Sequence, residues 1–379
     1  MTAFISEFTL GADAAAQGPT IAIKDSIDVA GYPTTGASRS LADAPPAAAH
    51  AEVVQRLLDA GWRITGKTNM HELAFGMTGI NDYTGTPVNP QDAARIPGGS
   101  SSGSASAVGL KLVDAALGTD TGGSIRGPAA CCGVMGLKPT FGRVSRKGAV
   151  PRESTLDCVG PFTRDIATLA AVMAAIAPAF DANLAKRANA GANIAIVSVD
   201  ADAAIRQGVE RAVQLAGFAS RVIELDGLKE AFEAGLAVIN VETAREFAHL
   251  VESGKLGADI DARLRAAAQT TQTQLDTAER VRRSFTAAVD RALDHADVLV
   301  LPTLPTLPIT IEAARNGTPV LTMSSLIRPF NLSGHPALSL PVPIEGSPLK
   351  AGLQIVGRKG ADEQVCAVAA HFEAALAAS

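Results

Sequence analysis

Residues 97–127 read PGGSSSGSASAVGLKLVDAALGTDTGGSIRG. Two runs rich in glycine and serine, 97–104 and 118–127, enclose apolar segments at 105–110 and 112–117. A flexible linker would be low in complexity and flanked by polar residues, and this stretch is not. Glycine is costly in ordered structure, so a buried glycine-rich segment implies backbone held close to something. The chemistry is therefore expected within residues 97–148. Outward from there, short apolar runs alternate with helical patterns. Residues 21–23, 63–65, 113–117, 194–197, 222–225, 298–301, 338–340 and 353–356 read as strands. Residues 52–60, 200–216, 229–252, 260–295 and 362–377 read as helices. Such alternation predicts an α/β fold, a sheet with helices on both faces.

The composition agrees. At roughly 150 residues per domain, 379 residues would make two domains, although a single large α/β domain also reaches this length. Hydrophobic residues make up 47% and charged residues 19%, which excludes a disordered chain, a coiled coil and a small stapled scaffold. A net charge of −5 offers no basic field for nucleic acid or an anionic membrane. The four cysteines form no C-x-x-C pair and no disulfide framework. The N-terminus carries Glu7 and Asp13 where a signal peptide would be apolar. The longest apolar stretch, 167–180, is too short to span a bilayer and is interrupted by Pro178. A cytoplasmic enzyme is expected, with neither membrane nor nucleic acid as partner.

Several motifs fail on context. Residues 61–68, GWRITGKT, match the P-loop pattern, but a helix precedes Gly61 and the intervening residues read as the strand itself. Residues 99–103, GSSSG, match a nucleophile elbow centred on Ser101, with Asp297 and His335 available in triad order. The elbow must follow a buried strand, however, and NPQDAARIP precedes it. His71-Glu72 begins an H-E-x-x-H zinc motif, but Phe75 stands where the second histidine belongs. Ser347 and Lys350 spell S-x-x-K in a turn between Gly346 and Gly352.

What remains is a pair of serine-bearing glycine runs with a lysine upstream at a strand end, Ile23-Lys24-Asp25. With GKTNMHELAFG at 66–76, DVLVLPT at 297–303, FNLSGHPALSLP at 330–341 and GLQIVG at 352–357, these residues resemble the amidase signature family of Ser-Ser-Lys amide hydrolases. The run GGSSSGS is similar to that of members acting on small amides, such as malonamidase and plant-type indole-acetamide hydrolase. The resemblance implies one large domain over 1–379, with a mixed, twisted central β-sheet covered by helices on both faces. It also implies a core motif region at 66–160 and a helical insertion at about 200–295. Only 23 residues precede Lys24, so the family's N-terminal helical segment is expected to be reduced, leaving homodimerisation open.

The resemblance further implies that Ser124 is the nucleophile and that Lys24 is the base, acting through Ser100 with a cis peptide bond before it. The backbone of Thr121, Gly122, Gly123 and Ser124 would form the oxyanion hole. Ser101, Asp120 and Arg126 would support it, Arg126 being a secondary candidate for contacting a polar substrate group. Phe75, Gly76, Met77 and Thr119 would touch substrate. No metal or organic cofactor is implied. The chemistry is coherent, because a serine attacking an amide needs a base and later an acid. Lys24 must be neutral to serve, and burial among Ile21, Ile23 and Ile27 would desolvate it. The expected reaction is hydrolysis of a small carboxylic amide to acid plus ammonia or amine through a serine acyl-enzyme. The alternative is the glutaminase subunit of a tRNA-dependent amidotransferase, which would need companion subunits.

Overall fold

The computed structural model describes residues 2–11 and 18–378; Asp13 lies outside them. Among the described residues eleven strands form one sheet: β1 (Phe4–Leu10), β2 (Thr20–Lys24), β3 (Arg63–Thr68), β4 (Ala115–Asp120), β5 (Met135–Lys138), β6 (Cys158–Thr163), β7 (Ile194–Val197), β8 (Ser220–Ile223), β9 (Val298–Pro302), β10 (Ala337–Pro343) and β11 (Lys350–Val356). Their order is β1-β3-β2-β4-β6-β5-β10-β11-β9-β7-β8. Pairs β2–β3, β2–β4, β7–β8 and β7–β9 are parallel and the others antiparallel. The sheet is mixed, and helices cover both faces.

The alternation of side chains along a strand explains the layers. In β9, Val298 and Val300 enter one core while Leu299 and Leu301 enter another. The first core is closed by the helices Ile166–Ile176 and Asp362–Ala377, the second by Leu228–Phe247 and Gln272–Leu293. In β2, Ile21 and Ile23 join the first core, whereas Ala22 faces a third, smaller cluster with Ala116 and Phe162. That cluster lies under the two short helices Ser102–Gly109 and Arg126–Cys132, which grow out of the glycine–serine runs of the sequence. Fully burying a ring such as Phe162 is worth about 2–3 kcal/mol.

Two differences from the sequence reading have clear physical causes. The helix expected over 260–295 is two helices, Ala258–Ala267 and Gln272–Leu293. The break is made by Thr271, whose side chain accepts from the Gln274 backbone while the Gln274 side chain accepts from the Thr271 N–H, a capping box. The strand expected at 222–225 lies at Ser220–Ile223, on the sheet edge, where Val222 is exposed and burial does not mark the pattern. The segments of β1, β5 and β6 carry no strand signal in the sequence reading. Residues 200–295 hold β8 as well as helices.

Candidate active site

β2 lies between β3 and β4, parallel to both; the chain passes from β2 to β3 on one side, whereas from β4 it continues to β5 on the other. A crevice outside the carboxyl ends of strands at such a point is where open α/β sheets place ligands. Lys24 ends β2, and Thr119-Asp120 ends β4. The glycine–serine run 98–104 crosses above them. It can do so because it lacks side chains at the closest approaches: a Cβ on Gly99 would stand 2.7 Å from the Gly76 carbonyl oxygen, and one on Gly103 would stand 2.4 Å from that of Asn69. The Gly99–Ser100 peptide is cis.

Lys24 is fully buried. Its Nζ donates to Ser100 Oγ and to Thr119 Oγ1, each at 2.8 Å. Burial pushes its pKa down to about 7, against the opposing pull of Asp157 and Asp120. The amine is thus surrounded by hydroxyls, whereas Ile21, Ile23 and Ile27 pack into the large core. Asp25 does not compete for it. Its carboxylate pairs with Lys67 at 2.9 Å and accepts from Thr35 and Ala37. The lysine of the P-loop-like match is consumed in that pair.

Ser124 opens onto a cleft of about 1110 Å³, which Thr121, Gly122, Phe75, Gly76 and Met77 also line. Its hydroxyl makes no hydrogen bond among the described residues, so the structure brings Lys24 and Ser100 together but leaves the Ser100–Ser124 link open. Thr119 corrects the expectation: it is buried beside Lys24 and does not line the cleft. Ser101 donates through Oγ to Thr119 O and through its N–H to Ser124 O, tying the two runs together. Ser104 sits inside the helix Ser102–Gly109, bonded to Leu117 O rather than capping the helix.

The loop 121–124 is braced from below. Asp120 accepts from the N–H groups of Gly123, Ile125 and Arg126. Gly123 adopts φ +113, a conformation that favours glycine. Its N–H, expected in the oxyanion hole, is spent on Asp120. The N–H groups of Thr121, Gly122 and Ser124 have no acceptor among the described residues. Arg126 pairs with Asp120 at 2.9 and 3.0 Å. It also donates to Asn331 Oδ1, Gln354 Oε1 and the Ile327 carbonyl. With every direction occupied and no exposure, Arg126 has no donor left for a substrate. Burial alone would raise the Asp120 pKa, but Arg126 and Asn331 hold it well below the usual carboxylate range.

Asn331 Nδ2 returns two bonds to Asp120. Asp157 accepts from Thr121 Oγ1 and from Arg146. Asn331 and Gln354 fall inside the quoted stretches 330–341 and 352–357, but the sequence reading assigns them no role, and it assigns none to Asp157, because only the fold brings them to Asp120, Arg126 and Thr121. His335 is buried elsewhere, bonded to Asp290 and Ser333, with its pKa pushed down to about 4 by burial. Asp297 accepts from Asn193 and Gln364. A Ser101–His335–Asp297 triad is not assembled.

Comparison with known proteins shows which family the chain is similar to. A family model described as Amidase matches residues 12–366. A glutamyl-tRNA(Gln) amidotransferase subunit of Synechococcus sp. (strain RCC307) is 35% identical, over 94% of this chain and 83% of the relative. The solved structure of the like-named subunit from Thermotoga maritima superposes with a TM-score of 0.82 at 29% identity, covering 97% of this chain and 86% of the other. A solved amidase superposes with a TM-score of 0.85 at 32% identity, covering 94% and 84%.

Proposed function

The chain belongs to the amidase family, an enzyme acting on amide C–N bonds, and from that premise we propose that it hydrolyses a primary carboxamide to acid and ammonia through an acyl-enzyme on Ser124. The observation that carries this reading is a buried lysine with its pKa brought down to about 7, bonded to Ser100 of one glycine run, whose next residue, Ser101, donates its N–H to the Ser124 carbonyl of the other. With the amine neutral, Ser100 turns its proton towards Lys24 Nζ and takes one from Ser124 Oγ, once rotation of the Ser124 side chain closes that link. The Ser124 oxygen then attacks the carbonyl carbon. The oxyanion is met by the free N–H groups of the loop at Gly122, Ser124 and Thr121, an arrangement worth about 3–4 kcal/mol per donor. When the C–N bond breaks, the proton held on Lys24 passes back through Ser100 to the departing nitrogen. Water enters by the same route reversed and releases the acid.

A second reading is favoured by the relatives named as amidotransferase subunits: the same site serves as the glutaminase of a multi-subunit, tRNA-dependent amidotransferase. Both readings release ammonia. They place the protein in the cytoplasm, in keeping with four buried cysteines that are all unpaired. No helix among the described residues is long and apolar enough to cross a membrane. The test is ammonia release from a panel of primary amides including glutamine. Turnover by the chain alone supports the first reading, and glutamine turnover only with companion subunits supports the second. No ammonia under either condition contradicts both.

A further inference from the structure

The cleft holds several cations, and most have a carboxylate beside them. Arg315 meets Asp82, Arg263 meets Asp259, and Lys255 meets Asp43. Arg39 is exposed and lies over the Tyr83 ring. Arg328 is different. It lines the cleft yet is only 4% exposed. Among the described residues its guanidinium has no carboxylate partner: it donates to Ser324 Oγ at 2.7 Å and, at 3.3 Å, to the Phe232 carbonyl, and it stacks over the Phe232 ring. Its Nε is buried with no hydrogen-bond partner.

Two glycines make the slot for this side chain. A Cβ on Gly235 would stand 2.9 Å from Arg328 Cγ, and one on Gly122 would stand 3.6 Å from Arg328 Nε. Gly122 is a residue of the proposed oxyanion loop, so the positive charge sits beside the place where the scissile carbonyl would lie. Burial pushes the Arg328 pKa down to about 10. Holding a desolvated guanidinium unpaired is costly, and an anionic ligand would relieve the cost.

We propose that Arg328 is a carboxylate-binding residue and that the substrate is a primary amide whose acyl part carries a second, anionic carboxylate a few carbons from the amide. This rests on the amidase reading above. Because the group leaving is ammonia, the anion can only be on the acyl side. The short separation follows from the adjacency of Gly122 and the guanidinium. An arginine fork suits the planar two-oxygen geometry of a carboxylate better than a lysine would.

The test compares the monoamide of succinic acid with butanamide, its neutral counterpart of equal chain length, in the intact protein. The wild type should show a kcat/KM for the acidic amide about tenfold to a hundredfold higher, the range for a hydrogen bond to a charged group. In Arg328→Gln that ratio should collapse towards one, and in Arg328→Lys it should fall part of the way. A merely structural arginine would lower both substrates together and leave the ratio where it was. Equal turnover of the two amides by the wild type overturns the proposal without any variant, should Arg328→Gln fail to fold. A preference that survives in Arg328→Lys and Arg328→Gln overturns it too. Failure to cleave any amide, alone or with companion subunits, would instead overturn the amidase reading and this inference with it.

Discussion

At the scale of single residues, the account turns on the charge of Lys24. Its ordinary pKa near 10.5 falls to about 7 in the folded protein because burial disfavours the ammonium. Between those values the unfolded chain binds more protons than the native state, so the native state gains stability as pH rises from about 7 towards 10. Below 7 the penalty is complete, about 5 kcal/mol for the shift. Lys24→Met removes the titrating group while keeping most of the volume. The variant should have no measurable amidase activity and match or exceed the parent in stability at pH 7. Its advantage should shrink by about 3 kcal/mol between pH 7 and pH 9.5; paired urea melts at the two pH values, with activity assayed alongside, check this. A variant several kcal/mol less stable at pH 7, or one that keeps its activity, would mark Lys24 as a charged structural residue. The same pKa predicts a kcat/KM that climbs tenfold per pH unit below about 7 and levels above it, and a profile flat from pH 5.5 to 9 would contradict it. His335 is bonded to Asp290 and Ser333, away from the serines. His335→Ala should therefore keep most of its hydrolysis rate, whereas a loss near ten thousandfold, the scale of a triad member, would revive the Ser-His-Asp mechanism.

Between elements, the decisive object is the brace that joins the end of β4 to the helices Arg126–Cys132 and Arg328–Leu332 and to β11. Asp120, Arg126, Asn331 and Gln354 satisfy one another there directly. Removing one partner from such a buried charged set leaves the others unpaired, at about 3–5 kcal/mol for an ion and about 1–3 for a neutral group. Asn331→Ala should accordingly destabilise the protein by about 2 kcal/mol. It should also lower kcat by tenfold or more with a smaller effect on KM, because the loop it steadies carries the proposed oxyanion donors. Thermal melts and steady-state kinetics on one preparation check both parts, and loss of stability with kcat unchanged would show that the brace does not position the loop. This network is largely hidden in the sequence. Lys24, Ser100 and Ser124 stand in recognisable runs, but Gln354 reaches Arg126 across 228 positions, through the pairing of β5, β10 and β11 that sets those strands side by side. Thr119 eludes the sequence for a related reason. Its place in the motif suggests substrate contact, and only the packing of β4 against β2 shows its hydroxyl turned to Lys24.

Over the whole molecule, the fold is legible wherever burial imposes a period. Strands buried on both faces, such as Ile194–Val197 and Val298–Pro302, and the terminal helix Asp362–Ala377 can be read from apolar runs and spacing. β1, β5 and β6 cannot, being half-polar, short, or interrupted by glycine and proline in the sequences FISEFTL, MGLK and CVGPFT. Together the strands set one lysine and two serines over a single switch point of the sheet, and the central claim is that Ser124 is the residue that takes the acyl group. A small fluorophosphonate, which reacts with activated serines, tests this most directly when the labelled protein is digested and the modified peptide sequenced by mass spectrometry. The account predicts one adduct, on Ser124, formed faster as pH rises through 7 and absent in Lys24→Met; an adduct on Ser101, or one on Ser124 that persists at the parent rate in Lys24→Met, would contradict it.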